Sequence, residues 1–514
     1  MRNGSIYGII SPRATARRAL LRWSALVAVA LLAPLAAAQS RFVLASPGAS
    51  GAEADPQRNS NIYGHTVSQL VADTLLLYYD GDYVPALATS WELSEDELTY
   101  TFHLRGGVKF HNGVTLTAEA VKASFERITD PDDPLPSAGR LSEVTSVTTP
   151  DDLTVVVTLG APNPDFLLNL NQVWIIEPGS AADGAVPVGS GPYVIAEYEP
   201  DQQIVMTRFE DYWGGPANIE TIVTRNIPEP ATLVLELEAG TVDAIMFAPP
   251  DEVARLGDAG FDVISFGSVN TAFVALNNAR LADVELRRAI CYAVDRDVLL
   301  NTAYAGLGQP ELTIALPGTW AQDPSVPGYG YDPDQAAAIL EAAGYVDTNG
   351  DGIREKDGQP LDLNFQARGD GAWLLATQII QQFLSDVGIG STITTSERNT
   401  YYTNVRTGEY DIGWWIDNAN PEPPIYEYAF HSAEYWNLTQ RGDDLDALIE
   451  AGRSSADRAV RAPAYFQLQR AVYEQAVQCP QFWIEQAHVV TSKLQGVKVS
   501  SMGVLLNAHQ WRLE

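Results

Sequence analysis

The sequence predicts a mixed α/β protein of two lobes, and three observations lead there. At 514 residues the chain is longer than one hydrophobic core usually serves. Its N-terminal half reads mainly as strands, with apolar and polar residues alternating. From about Asp283 onward, helical spacings interleave with short strand-like pieces, the pattern of an α/β lobe. Hydrophobic residues at 46 % and charged residues at 19 % place the chain among globular proteins.

Arg2, Arg13, Arg17, Arg18 and Arg22 precede an apolar run from Trp23 to Ala36, and no acid occurs in the first 38 residues. Ala36-Ala37-Ala38 then offers small residues ahead of Gln39. Basic, apolar and small-residue regions in that order predict a secretory signal peptide over residues 1–38. The apolar run falls short of the about 20 residues that span a bilayer, so no membrane span is expected in the mature chain. Arg17-Arg18-Ala19-Leu20-Leu21 is close to a twin-arginine pattern. An ordinary basic region accounts for it equally well, and the general secretory route is favoured. No Cys follows the run, so no lipid anchor is expected. The mature protein should be periplasmic or otherwise extracytoplasmic.

With 65 acidic against 32 basic residues the net charge is −33, and the five N-terminal arginines make the remainder more acidic still. Such a surface repels nucleic acid and anionic headgroups. Only Cys291 and Cys479 occur. Export permits a disulfide, but two Cys do not make a disulfide framework, so two separate thiols, Cys291 packing as a small hydrophobe, is the favoured reading and a pair the alternative.

Leu98, Tyr100, Phe102 and Leu104 alternate with polar residues, the period of a half-buried strand. Leu153, Val155, Val157 and Leu159 do the same, and the turn Pro150-Asp151-Asp152 pairs them with Val144–Thr148 in a hairpin. Between these pieces Ala118, Val121, Phe125 and Ile128 mark a helix with Thr117 as cap. Asp332-Pro333 opens a helix that Gly344 closes. Further helices fit Ala372–Val387, Asp443–Ser454 and Ala459–Val477. Strands fit Leu361–Phe365, Ile389–Thr394, Tyr410–Ile416 and Gln481–Val490.

Catalytic spacings are missing. There is no H-E-x-x-H, G-x-S-x-G, P-loop or G-x-G-x-x-G. The six histidines, His65, His103, His111, His431, His488 and His509, include no pair at metal-ligand spacing. Nothing marks a carboxyl pair for glycoside hydrolysis. No enzyme, cofactor or metal is predicted. Asp347–Gly352 resembles half of a calcium loop, but the twelfth position is Gly358 rather than a bidentate Glu, so a turn is the favoured reading and weak calcium binding the alternative.

Tyr410–Pro421 carries the most pointed chemistry. A strand runs directly into a carboxylate and a turn, and alternation puts Trp415 and Asp417 on one face with Trp414 on the other. An aromatic ring beside a carboxylate suits a cationic amine.

Several blocks together resemble family 5 of extracytoplasmic solute-binding proteins, the peptide- and nickel-type receptors of ABC importers. They are Pro85–Trp91, Leu98–Arg105, Val108–Gly113 and Thr117–Ile128, then Gly189-Ser190-Gly191-Pro192-Tyr193 with Asp211-Tyr212-Trp213-Gly214-Gly215, then Leu286–Ile290 with Tyr292–Arg296. They follow one another in order along nearly the whole mature chain. The resemblance implies a type II periplasmic-binding-protein fold, mixed sheets with a ligand cleft between lobes and an extra domain. Residues 39–83, 188–270 and 491–514 would form the first lobe, 84–187 a satellite domain on it, and 271–490 the second lobe.

Gly413-Trp414…Asp417-Asn418-Ala419-Asn420-Pro421 is similar to the G-W-x-x-D-N-G-D-P run of dipeptide-type members, whose Asp anchors a ligand α-amino group. Ala419 and Asn420 depart from it, while Asp417 is kept. The implied ligand-binding set is Asp417, Trp414, Trp415, Asn418 and Asn277. Trp414 is the family match and Trp415 the one that alternation favours. The expected partners are a short peptide and a membrane permease, with the protein itself a monomer. A non-peptide solute (oligosaccharide, metal chelate or opine-like amino compound) is the alternative, and an exported hydrolase stands behind both.

The mass of the intact protein from its native compartment should match a chain beginning at Gln39. A mature form that retains Arg22 would contradict the signal-peptide reading.

Overall fold

The computed structural model describes residues 40–47, 54–59, 62–79, 81–133, 135–181, 186–316, 318–369, 371–418, 430–432, 438–440, 442, 444–500 and 503–514; the side chains of residues 268, 269, 398, 399, 417 and 418 lie outside that set. The predicted signal segment is also outside the described residues.

Among the described residues, beside four two-stranded pairs, fifteen strands build the two larger sheets. They are β1 (Arg41–Ser46), β2 (Ala88–Leu93), β3 (Thr99–Leu104), β4 (Val144–Asp151), β5 (Thr154–Leu159), β6 (Tyr193–Glu199), β7 (Gln203–Arg208), β8 (Thr221–Asn226), β9 (Ala244–Ile245), β10 (Asp262–Leu276), β11 (Gly308–Pro310), β12 (Asp362–Arg368), β13 (Gly390–Ser396), β14 (Ile412–Asn418) and β15 (Gln478–Val490). The principal helices are α1 (Ile62–Val71), α2 (Ala118–Ile128), α3 (Pro230–Glu238), α4 (Pro250–Asp258), α5 (Val284–Ala293), α6 (Arg296–Ala303), α7 (Pro333–Ala342), α8 (Gly371–Asp386), α9 (Arg398–Arg406), α10 (Asp446–Gly452) and α11 (Arg458–Glu474).

The larger sheet has eleven strands in the order β13-β12-β14-β10-β15-β9-β1-β8-β7-β6, with β11 also on β15. Parallel pairs occur in both halves: β1 with β8 and β9, and β12 with β13 and β14. The halves meet through the long antiparallel pair β10–β15, which runs from Asp262 opposite Val490 to Ala275 opposite Gln478. Its register shifts twice, between Gly267 and Asn270 and between Ala272 and Phe273. Such irregularities bend and twist a strand, which lets one ribbon serve both halves.

The buried residues gather accordingly. One apolar cluster draws only on residues 272–484, and a second on residues 75–175 around the four-stranded sheet β2-β3-β5-β4. Two more flank β1: Phe42 and Leu44 belong to one, Val43 and Ala45 to the other. A strand covered on both faces needs apolar residues at every position, and Phe42–Ala45 supplies them.

Local expectations from the sequence are met in detail. On β3 Tyr100, Phe102 and Leu104 are buried, and β4 and β5 form the predicted hairpin. Leu153 is 40 % exposed because it sits in the turn rather than on the strand. Thr117 occupies the N-cap of α2, without a side-chain capping bond. Asp332 caps α7 by accepting from the Gln335 N–H at 2.8 Å. At Asp347 the carboxylate accepts from the N–H groups of Gly350 and Gly352, which makes the segment a turn. The carboxyls of Asp347, Asp351 and Glu355 converge there on the exposed surface, bound to the loop's own groups.

The reading of Cys291 and Cys479 as separate thiols is corrected. They form a disulfide between α5 and β15, 188 positions apart in sequence, and both are 1 % exposed. Sequence separation hid the pair; the packing of α5 against β15 brings the Cα atoms to 5.1 Å. A cross-link over so long a loop restricts the unfolded chain strongly. The Cys291→Ala/Cys479→Ala double variant should lose about 2–5 kcal/mol of unfolding free energy in denaturant titration. Equal stability of variant and wild type would show that the bond adds nothing.

Candidate ligand cleft

The sequence blocks that run in order along the chain prove to be architectural. Asp73 follows α1 and is fully buried; its carboxylate accepts from the Ser190 hydroxyl at 2.8 Å, the Trp213 indole at 3.0 Å and the Tyr212 hydroxyl at 3.2 Å. The G-S-G-P-Y and D-Y-W-G-G blocks thus close on one acid. Gly189 and Gly191 are required because a Cβ at either would meet the backbone of residues 70–72, 1.9 Å from the Val71 carbonyl oxygen in the first case. Burial lifts the Asp73 carboxyl to about 6 despite its three donors. In the R-R-A-I block Arg287 donates to the carbonyls of Ala476, Leu281 and Gln475, and Asp295 caps α6.

A cavity of about 370 Å³ lies where the sheet halves join. One wall comes from the carboxyl ends of parallel strands: Pro47 after β1, Phe247 after β9, and Pro230 and Pro250 at the starts of α3 and α4. The other comes from Tyr304 after α6 and Ile416 on β14, with Asn270 and Ile484 from the crossing strands. Strand carboxyl ends at a sheet crevice are the usual ligand position in α/β proteins. The lining is mostly apolar, with Asn270, Glu485 and Gln486 as its polar groups.

Four of the five sequence-selected residues lie on β14, which lends Ile416 to the cavity lining, though none of the four is itself among the described lining residues. Trp414 is fully buried; its indole N–H donates to the Tyr304 hydroxyl at 3.0 Å, so it positions a cavity wall from behind. Its carbonyl accepts from Trp373 Nε1 and Tyr401 Oη, which ties β14 to α8 and α9. Trp415 is 5 % exposed and packs against Tyr401 and Tyr402, with ring centroids 5.8 and 5.4 Å away. Asp417 stands opposite Thr271 and Asn418 opposite the cavity residue Asn270. The side chains of both, and all of Ala419-Asn420-Pro421, lie outside the described residues. Asn277 is not brought to the cavity. It lies seven residues beyond Asn270, about 23 Å along a strand. There its amide donates to the carbonyls of Gly408 and Tyr410 and its oxygen accepts from the Arg280 N–H. Its hydrogen bonds hold a turn.

Sequence reasoning missed Tyr304, Phe247 and His488. His488 on β15 accepts the Phe247 N–H at Nδ1 (3.1 Å) and donates from Nε2 to the Gly503 carbonyl (2.8 Å). That bond holds Phe247 in a left-handed backbone conformation, φ 51°, at the cavity wall. Nothing in the sequence around an isolated His signals this.

The geometry describes a two-lobed binding protein with a cleft between sheet halves. The sequence model of the bacterial extracellular solute-binding proteins, family 5, matches residues 82–437. The chain is 30 % identical over 465 residues to heme-binding protein A of Haemophilus influenzae, covering 82 % of each chain. It is 27 % identical to the dipeptide-binding protein of Escherichia coli, over 76 % of this chain and 79 % of that one. Among solved structures, NikA from Brucella suis in complex with Fe(III)-EDTA superposes with a TM-score of 0.82 at 25 % identity, over 92 % of this chain and all of that one. The chain therefore belongs to family 5 of the bacterial extracellular solute-binding proteins, the binding proteins of ABC importers.

Burial holds the His488 imidazole down to about 4. An unfolded histidine takes up its proton near pH 6.5. Between about 6.5 and 4 the unfolded chain therefore binds a proton that the folded one does not, and stability falls as pH drops through that window. His65, also held at about 4, acts with the same sign. Asp73 acts oppositely, since its folded carboxyl keeps a proton up to about 6. In His488→Gln the loss of unfolding free energy from pH 6.5 to 5 should be smaller than in wild type by about 2 kcal/mol. Parallel pH profiles would contradict this.

Proposed function

We propose that this protein is the exported receptor of an ABC importer, that it binds a short peptide in the cleft, and that it delivers the peptide to a membrane permease. Residues 39–83, 188–270 and 491–514 act as the first lobe, 84–187 as its satellite and 271–490 as the second lobe, closing over the ligand as hinged receptors do. The observation that carries the peptide reading is the course of β14. The strand that ends in Asp417-Asn418 pairs with cavity residue Asn270 and sends Ile416 into the lining. This supports reading the run that begins at Gly413 as the segment that recognises the peptide, with the Asp417 carboxylate meeting a ligand ammonium group. The name of the Escherichia coli relative supports the same class of ligand. A second reading, a metal chelate or tetrapyrrole in the same cleft, draws support from the heme-binding relative and from the Fe(III)-EDTA complex.

A carboxylate paired with an ammonium group makes a charge-assisted bond, and removing one member of such a pair costs about 2–5 kcal/mol of binding. Calorimetric titration with a dipeptide and its N-acetyl form separates the readings. Asp417→Asn should weaken the free dipeptide by at least about tenfold. The acetylated form should bind wild type poorly and be little affected by the substitution. Equal affinity of wild type for both forms removes Asp417 from the site, and a variant that is merely less stable assigns it to a turn.

A further inference from the structure

The turn between β2 and β3 reaches across to the other half of the molecule. Glu97 sits in that turn, and its carboxylate accepts from the Ser455 hydroxyl at 2.8 Å and from the Ala456 N–H at 2.7 Å. Ser455 and Ala456 lie in the link between α10 and α11, 358 and 359 positions away. The β2–β3 turn belongs to the sheet that encloses the cluster of residues 75–175, whereas Ile449 on α10 and Tyr465 on α11 belong to the cluster of residues 272–484. A second contact joins the same two bodies. Asp165 stands 3.9 Å from the guanidinium of Arg461 on α11, a side chain 2 % exposed that also donates to the Gly452 carbonyl.

Glu97 holds an unusual backbone for its type, φ 59°. Side chains are crowded in that left-handed region, and hairpin turns that need it favour Gly. The turn is closed by other groups: the Ser94 carbonyl accepts from the Glu97 N–H at 3.0 Å, and the Asp96 carboxylate accepts from the Ser94 hydroxyl and the Leu98 N–H. Glycine would therefore serve the turn better. Local strain that persists is a sign of a job done by the residue that bears it. Here the carboxylate makes two charge-assisted bonds, the stronger kind, to a separate body.

The 75–175 cluster is fixed to the half of the large sheet that contains β1. The Ile175 N–H donates to the Asp73 carbonyl at 2.9 Å, and the Asp73 carboxylate is held by Ser190 before β6 and Tyr212 after β7. Ser455 and Ala456 go with the other half. None of Glu97, Asp165, Ser455, Ala456 and Arg461 belongs to the β10–β15 ribbon or is among the described residues lining the cavity. The halves are thus joined twice, by the ribbon and by this contact. A rotation about the ribbon draws the two sides of the contact apart, since one travels with each half.

We propose that Glu97 is a clasp that holds the two halves in the closed arrangement whether or not a solute is bound. Apparent affinity rises with the fraction of receptor already in its binding-competent form, so the clasp strengthens capture without touching the solute. Glu97 is in this sense a positioning residue. The inference rests on the hinge closure given above and is independent of which solute the cleft takes.

The test uses the whole protein, dialysed free of solute, with spin labels on Leu153→Cys in the β4–β5 turn and Val460→Cys on α11. Both sites are exposed, and the two native cysteines are tied in the disulfide. Pulsed dipolar spectroscopy reads the distance between the labels, after each variant is shown to melt cooperatively. With Glu97 intact, one short distance should dominate. Glu97→Gly suits the turn and removes the carboxylate, so the ratio of short to long distances should fall at least about tenfold. Glu97→Gln keeps an acceptor and should lie between the two. Short and long distances in the same ratio with Glu97 and with Glu97→Gly overturn the clasp and leave hinge closure standing. A single unchanging distance in both overturns the clasp and hinge closure together.

Discussion

Everything in the molecule hangs on the antiparallel pairing of β10 with β15. The two strands form a ribbon whose lower end belongs to one half of the large sheet and whose upper end belongs to the other. Phe266 packs on Phe247 and His488 at one end, while Ala272–Leu276 enter the core of the other. A continuous regular ladder would hold the halves in one plane. The two register shifts interrupt it at the point where the cavity lies, so the same residues that join the halves also shape the space between them. The disulfide fastens one end of this ribbon to α5, and His488 fixes Phe247 against the other.

Around the ribbon, the strongest sequence signals and the cavity-lining residues are different sets. Asp73, Gly189, Ser190, Gly191, Tyr212 and Trp213 are fully committed to each other, as Arg287 is to three carbonyls. Their chemistry is conspicuous because buried charges and close backbone contacts tolerate few alternatives. The cavity is lined instead by Phe247, Tyr304, Ile416 and Ile484, residues that any core employs. A family can thus hold its architecture while changing what the cleft accepts, which agrees with relatives named for heme and for dipeptides.

That division also explains what could be read from the chain. The strand β3, the hairpin β4–β5 and the cap of α7 depend on neighbours in sequence, and alternation or an Asp-Pro pair marks them directly. Trp414 and Trp415 were recognisable as special, although both pack inward, one towards Tyr304 and the other on Tyr401. Cys291–Cys479, the turn role of Asn277 and the grip of His488 on Phe247 all join residues more than 130 positions apart. No local period reports such contacts.

The central claim is that the joint between the sheet halves holds a short peptide. It is tested most directly by the mass of what the protein carries when purified, without refolding, from its native compartment. Denaturing the washed protein and weighing the released small molecules should give masses of peptides of a few residues. A tetrapyrrole, a metal chelate or an oligosaccharide as the released species would contradict the claim.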